Sequence, residues 1–287
     1  MTTIHWPRKP WWMIRPDDRT ALVSIPFTWT LPGVRERLSR GSLLWDRAIV
    51  GGPAVDLIPG YFADMPYVTE GRSLVGALQL VNPMATRTTI GCPNKCRFCG
   101  IGQGLIEPGS FRELAEWPDL PILVDNNLFA ASEAHFDRVM DRLERWGWCD
   151  FNQGVDCRLL NSHHAERIAR VKRPVVRLAL DSIAHADSWE TAFGRLRSAG
   201  VAKNSIRSYA LIGFKTGPDE AWARCRWIEG HGVKALPMWF HSLTAMESNV
   251  VTPEQSALGW TDAERMRIMQ WFYQHRDRNV RVKGKAA

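Results

Sequence analysis

The sequence predicts an α/β protein in two parts, a parallel β/α arrangement from about Ala85 onward and a small α/β segment before it. Two observations predict the larger part. Six short apolar runs alternate strictly with longer amphipathic ones, and cap and turn residues fall between them. The expected strands are Ala85–Ile90, Ile122–Asp125, Asp150–Gln153, Val175–Asp181, Ile206–Ile212 and Lys234–Phe240. Most are rich in Val, Ile, Leu or aromatic residues, as strands covered on both faces are. The expected helices are Ser132–Trp146, Ser162–Val171, Ser188–Ala199 and Pro218–His231. Ser132 and Ser162 stand where N-caps belong, and Gly147, Gly200 and Gly232 stand just past helix ends, where a left-handed C-cap needs glycine. Functional groups are then expected at the carboxyl ends of the strands.

The segment 1–83 reads as the smaller α/β piece, with strands at Ala21–Pro26 and Arg47–Val50 and helices at Gly33–Ser39 and Ser73–Leu80. Asn82-Pro83 reads as a linker, 84–245 as the main domain and 246–287 as a C-terminal helix with a basic tail. Thr261–Arg276 is the expected helix, with Thr261 as N-cap and Glu264 in the capping-box position, and Arg276 to Lys285 the solvated tail.

Composition removes several classes. At 287 residues and 45% hydrophobic content the chain can bury a sizeable core, which excludes a disordered or fibrous protein. Lys and Arg outnumber Asp and Glu by 37 to 30, a net +7 that favours anionic partners. Six unevenly spaced Cys in so long a chain do not form a disulfide scaffold and suit a reducing compartment. No apolar run approaches the ~18 residues that span a bilayer, and Met1 to Asp18 lacks a signal-peptide core. A soluble, cytoplasmic protein without a membrane partner is expected.

The sharpest motif is Gly91-Cys92-Pro93-Asn94-Lys95-Cys96-Arg97-Phe98-Cys99-Gly100, directly after the first strand of the series. Three thiols within eight residues can wrap one compact inorganic centre. They supply three ligands, whereas a structural zinc site closes four. A [4Fe–4S] cluster held by three Cys leaves one iron open. A zinc knuckle completed by a distant ligand is the alternative, but no His lies within 30 residues of the triplet. The triplet resembles the cluster loop of the radical S-adenosylmethionine (SAM) superfamily, including the aromatic Phe98 before the last Cys. The resemblance implies a partial (β/α)6 TIM-like barrel and a [4Fe–4S] cluster on Cys92, Cys96 and Cys99. It also implies SAM chelated at the open iron and a flavodoxin- or ferredoxin-type electron donor. Reductive cleavage of SAM would then generate a 5′-deoxyadenosyl radical, the cofactors supplying the hard chemistry.

The resemblance carries over to other strand ends. Phe98 and Gly100 would flank the cofactors. Asn126 and Asn127, after the second strand, replace the family's Gly-Glu, which binds the SAM amine; carboxamide oxygens can accept from an ammonium. Gly154-Val155-Asp156-Cys157-Arg158 resembles the Gly-x-Asp-x-Arg stretch of the branch with cobalamin-dependent enzymes and tRNA methylthiotransferases, where the Arg faces the SAM carboxylate. Asp181 and Ser182 match an acid-Ser pair that reaches SAM, with Arg177 on the same strand face as Asp181. Gly213 matches a strand backing the adenine, where a ring can approach the backbone closely. Cys149, Cys157 and Cys225 read as buried structural thiols, with Cys157 the one placed to line a site. Arg47 to Ala54 looks like the strand and Gly-Gly-Pro turn of that branch's cobalamin-binding domain. The cobalt-ligand motif Asp-x-His-x-x-Gly is absent from the chain, which argues against cobalamin. The substrate is expected to be a nucleic acid or nucleotide, on the +7 charge and the Trp residues near both ends. A small metabolite or peptide, or a metal-containing nucleic-acid-binding protein without catalysis, are the competing readings.

Overall fold

The computed structural model describes residues 9–41, 43–71, 77–107 and 109–282. They form two compact units that interleave along the chain. One comprises the chain up to Ala85 with Gly91–Ser110 and His241–Ser248; the other comprises Thr86–Ile90, Phe111–Phe240 and the chain from Asn249. The thiol loop therefore packs with the N-terminal segment.

In the first unit, β1 (Trp11–Arg15), β2 (Thr20–Ser24), β3 (Arg47–Gly51) and β4 (Val68–Glu70) form a sheet in chain order, with α1 (Leu31–Ser39), α2 (Pro53–Leu57) and α3 (Ala77–Val81) between or after them. β1 runs antiparallel to β2, and β2, β3 and β4 are parallel. Ile25, Leu31, Leu38, Val50 and Phe62 fill its core. The Gly-Gly-Pro turn is sterically required: Gly52 has φ +104°, and a Cβ there would lie 2.8 Å from the Ile25 carbonyl oxygen. Of the helix expected at Ser73–Leu80, residues 73–76 lie outside the described ones. His241–Ser248 joins this unit through Thr28 Oγ1, which donates to the Ala245 carbonyl at 2.5 Å, and through Trp29 beside His241.

The second unit is a six-stranded sheet. Its elements run β5 (Ala85–Thr86), β6 (Thr89–Ile90), β7 (Arg112–Glu113), β8 (Ile122–Leu123), α4 (Glu133–Trp146), β9 (Trp148–Phe151), α5 (Ser162–Arg170), β10 (Arg173–Ala179), α6 (Ala186–Ser198), β11 (Ile206–Ile212), α7 (Pro218–Gly230), β12 (Lys234–Trp239), α8 (Pro253–Ser256) and α9 (Asp262–Val282). The sheet order is β12-β11-β10-β9-β8-β5, sequential along the chain, and the neighbours from β8 to β12 are parallel. Parallel neighbours in sequential order are joined by crossovers of one hand as a rule, which brings their helices to one face. Side chains on that face interlock with them: Trp189 of α6, fully buried, donates Nε1–H to Ser208 Oγ of β11 at 2.9 Å. Truncating such a buried Trp to Ala costs about 3–5 kcal/mol. Alternation then puts Arg207, Tyr209 and Leu211 on the opposite face.

Local chemistry explains where expectation and structure differ. The run Ala85–Ile90 breaks into β5 and β6 because Thr88 and Thr89 turn to bind Asp125; β6 pairs antiparallel with β7 instead. The cap of α5 is Asn161, not Ser162, because its side-chain oxygen accepts from the His164 amide while His164 reaches back to the Asn161 amide. α4 ends at Gly147 with φ +67°, the left-handed cap that the sequence predicted. α9 continues to Val282, so much of the basic stretch from Arg276 is helical; 283–285 lie outside the described residues.

Candidate functional site

The first candidate region is the thiol loop. Gly91 adopts φ +76° and its amide donates to Glu107 Oε2 at 3.1 Å, so the chain turns sharply as it enters the loop. Further on, the Cys99 amide donates to the Cys96 carbonyl at 3.1 Å and the Gln103 amide to the Cys99 carbonyl at 3.0 Å. Two glycines let the loop close. A Cβ at Gly102 would lie 2.6 Å from the Cys96 amide nitrogen, and one at Gly100 would lie 2.7 Å from Ile106 Cδ1. Cys92, Cys96 and Cys99 are each half-buried, and none of the six Cys is in a disulfide.

Three thiols in one loop could hold a metal centre, and the candidate centres differ in the spacing they require. Among the described residues, only Glu133, Asp137 and His163 bring three metal-ligating atoms within 4.8 Å of one another. One tetrahedral Zn²⁺, at about 2.3 Å from each sulfur, would hold the sulfurs ~3.8 Å apart. An iron–sulfur cluster gives each thiolate its own iron, so the sulfurs can stand further apart. Asp137 of the other group already accepts from Arg167 Nη1 at 2.7 Å and contacts His163 Nε2 at 2.8 Å. That group is an ion-pair network around a guanidinium.

The second candidate region is the carboxyl end of β8, β9 and β10. Arg158 forks onto Asp156, its Nε donating to Oδ1 and its Nη2 to Oδ2, both at 2.8 Å. The buried Asn127 amide donates to the same Asp156 Oδ2 at 3.4 Å. Asn127 and Arg158 are thus brought together through one carboxylate; Asn126 is half-buried. Asp181 is half-buried, and burial pushes its carboxyl above the ordinary range against the pull of Arg224, His185 and Arg158. Ser182 Oγ accepts from the Ala184 amide at 3.3 Å and so caps a short helical turn.

Three further residues of the sequence reading stand as follows. Gly213 does admit a ring, but the ring is Trp239, whose Cζ3 would lie 2.6 Å from an added Cβ. Cys157 is buried, its thiol contacts the Ala179 carbonyl at 3.5 Å, and burial raises it to about 12, which leaves a protonated structural thiol. Arg177 does lie away from the helices, where its Nη2 donates to Asp150 Oδ2 at 2.9 Å.

Sequence reasoning missed Asp125. Its Oδ1 accepts from the amides and hydroxyls of both Thr88 and Thr89. Because the Thr88 hydroxyl donates to Asp125, His135 Nε2, 3.2 Å from that hydroxyl, must be the donor. Burial lowers the His135 pKa, in keeping with a neutral ring. Asp125 also lines a cavity of about 10 Å³ with Leu123, Phe129 and Phe151, room for one water. Thr-Thr facing a strand-end Asp was the available signal.

No protein-family model and no curated protein matches the sequence. No helix among the described residues is long and apolar enough to cross a membrane.

Proposed function

We propose that the chain is a radical SAM enzyme acting on an anionic substrate. The observation that carries this reading is the Cys92-x-x-x-Cys96-x-x-Cys99 loop, closed where Gly102 packs on the Cys96 backbone too tightly for a side chain, with three half-buried thiols and no disulfide. Cys92, Cys96 and Cys99 would hold a [4Fe–4S] cluster, which when bound and reduced supplies the electron that cleaves SAM. Asp181 would receive the SAM ammonium. A cation there relieves the cost of its burial, the mutual stabilisation that a half-buried carboxylate needs. Asn126 and Asn127 would orient the same group through their carboxamide oxygens. Arg158 would turn from Asp156 toward the SAM carboxylate, exchanging one bidentate partner for another. Sequential strand order with helices on one face supports a partial (β/α)6 barrel. The electron would come from a flavodoxin- or ferredoxin-type donor in the cytoplasm.

The test is SAM cleavage by the anaerobic, reduced full chain. Methionine and 5′-deoxyadenosine are expected without substrate, and Cys96→Ala is expected to abolish both. A wild-type protein loaded with iron that forms neither product contradicts the reading.

A further inference from the structure

The sheet face turned away from the helices is graded along the strands. Register aligns Arg177 of β10 with Arg207 of β11 and Lys234 of β12, and Arg177 holds Asp150 of β9 beside them. Three cations and one carboxylate thus form a row across four adjacent strands, with Arg207 and Lys234 at the amino ends of β11 and β12 and with Arg177 and Asp150 in the later halves of β10 and β9. The next row on this face is Ala179, Tyr209 and Leu236, and the one beyond pairs Leu211 with the half-exposed Met238. Tyr209 stands directly after the cations: its hydroxyl donates to the Asn152 carbonyl at 2.9 Å, and burial chiefly, with Arg177, Arg207 and Tyr273 of α9, acts on its charge. Asp181 lies four residues beyond Arg177, about 13 Å at the rise of a parallel strand.

We propose that this face is a binding site for a phosphomonoester of nucleotide size. The phosphate would sit at the row of Arg177, Arg207 and Lys234, and the sugar and base would extend over Tyr209 and Leu236 toward Asp181. Guanidinium groups match phosphate oxygens bidentately, and Lys234 adds a point charge at the edge strand β12. Arg177 is about nine-tenths buried, where charge–phosphate contacts are screened little by salt. The row selects for one terminal phosphate: it lies across the strands, and the surface beyond it is apolar. The assignment deepens the proposed function by naming the substrate class, and it rests on that reading for the reaction alone.

The experiment titrates CMP, GMP and UMP, each against its own nucleoside, into the full chain by calorimetry; adenine compounds are left out because SAM carries that base. At least one monophosphate is expected to bind roughly tenfold tighter than its nucleoside, the worth of a charge-assisted contact. Arg207→Gln and Lys234→Gln should each remove that preference, while Arg145→Gln, an equal loss of charge on exposed α4, should keep it. If Arg207→Gln does not fold, Lys234→Gln on the edge strand decides. Equal affinities within all three pairs, or a preference that survives both row variants, overturns the site. So does an RNA oligonucleotide that binds and is released by salt while no monophosphate outdoes its nucleoside. SAM cleavage without phosphate preference would spare the reaction and remove the site; phosphate preference without SAM cleavage would do the reverse.

Discussion

Asp125 and Asp181 stand at the carboxyl ends of neighbouring parts of one sheet, and burial raises the pKa of both. Their surroundings differ. Asp125 is buried, and one of its oxygens takes four donors from Thr88 and Thr89, two residues that lead into Gly91 and the thiol loop. Asp181 accepts no hydrogen bond among the described residues; the more distant charges of Arg224, His185 and Arg158, and the like charge of Asp156, act on it. The same residue type at the same place on a strand therefore does two jobs. A carboxylate with one oxygen tied to four donors of its own chain is scaffold, even though the Oδ2 of Asp125 has no partner, and one that is desolvated and takes no donor has capacity left for a ligand.

The largest effect expected from breaking this contrast is at Asp125. Asp125→Ala leaves two amides and two hydroxyls without their acceptor in a buried place, which should cost about 3–5 kcal/mol by denaturant unfolding. A loss under ~1 kcal/mol would show that water replaces the carboxylate and that Asp125 is not scaffold. Gly213→Ala should follow at about 1–3 kcal/mol, because φ +79° and the Trp239 ring both resist a Cβ. A neutral result would mean that β12 shifts freely.

Asp181→Asn should have the smallest effect on stability, and in the opposite direction. A carboxyl whose folded pKa lies above the ordinary 3.8 binds its proton more tightly folded than unfolded. Its contribution is complete below the unfolded pKa and is lost as pH rises through the raised folded value. Asn does not ionise, so the variant should melt at or above the wild-type temperature at pH 7, and the difference should vanish near pH 3. SAM affinity should fall in the same variant by roughly tenfold or more, through loss of a charged partner. A variant that melts lower and binds SAM unchanged would make Asp181 scaffold like Asp125.

The alternation of apolar runs and caps made the parallel sheet and four of its helices legible, because strand burial and left-handed glycine caps are local signals. Gly147 is an example. The thiol triplet is equally local. What escaped was set by contacts distant in sequence. Thr88 and Thr89 read as ordinary strand residues until Asp125, 36 residues past Thr89, takes their donors. β1 begins among Trp and Pro residues that resemble a loop, and its pairing with β2 fixes it as a strand. Arg158 and Asp156 stand two apart in the sequence, yet their fork becomes visible only once the turn after β9 brings the side chains together.

The most direct measurement is the iron and acid-labile sulfide content of the full chain reconstituted anaerobically, for the wild type and for Cys92→Ala/Cys96→Ala/Cys99→Ala. The account predicts about four irons and four sulfides per wild-type chain, a brown protein, and neither element in the triple variant. A wild type that takes up zinc alone, or a triple variant that keeps its iron, would contradict it.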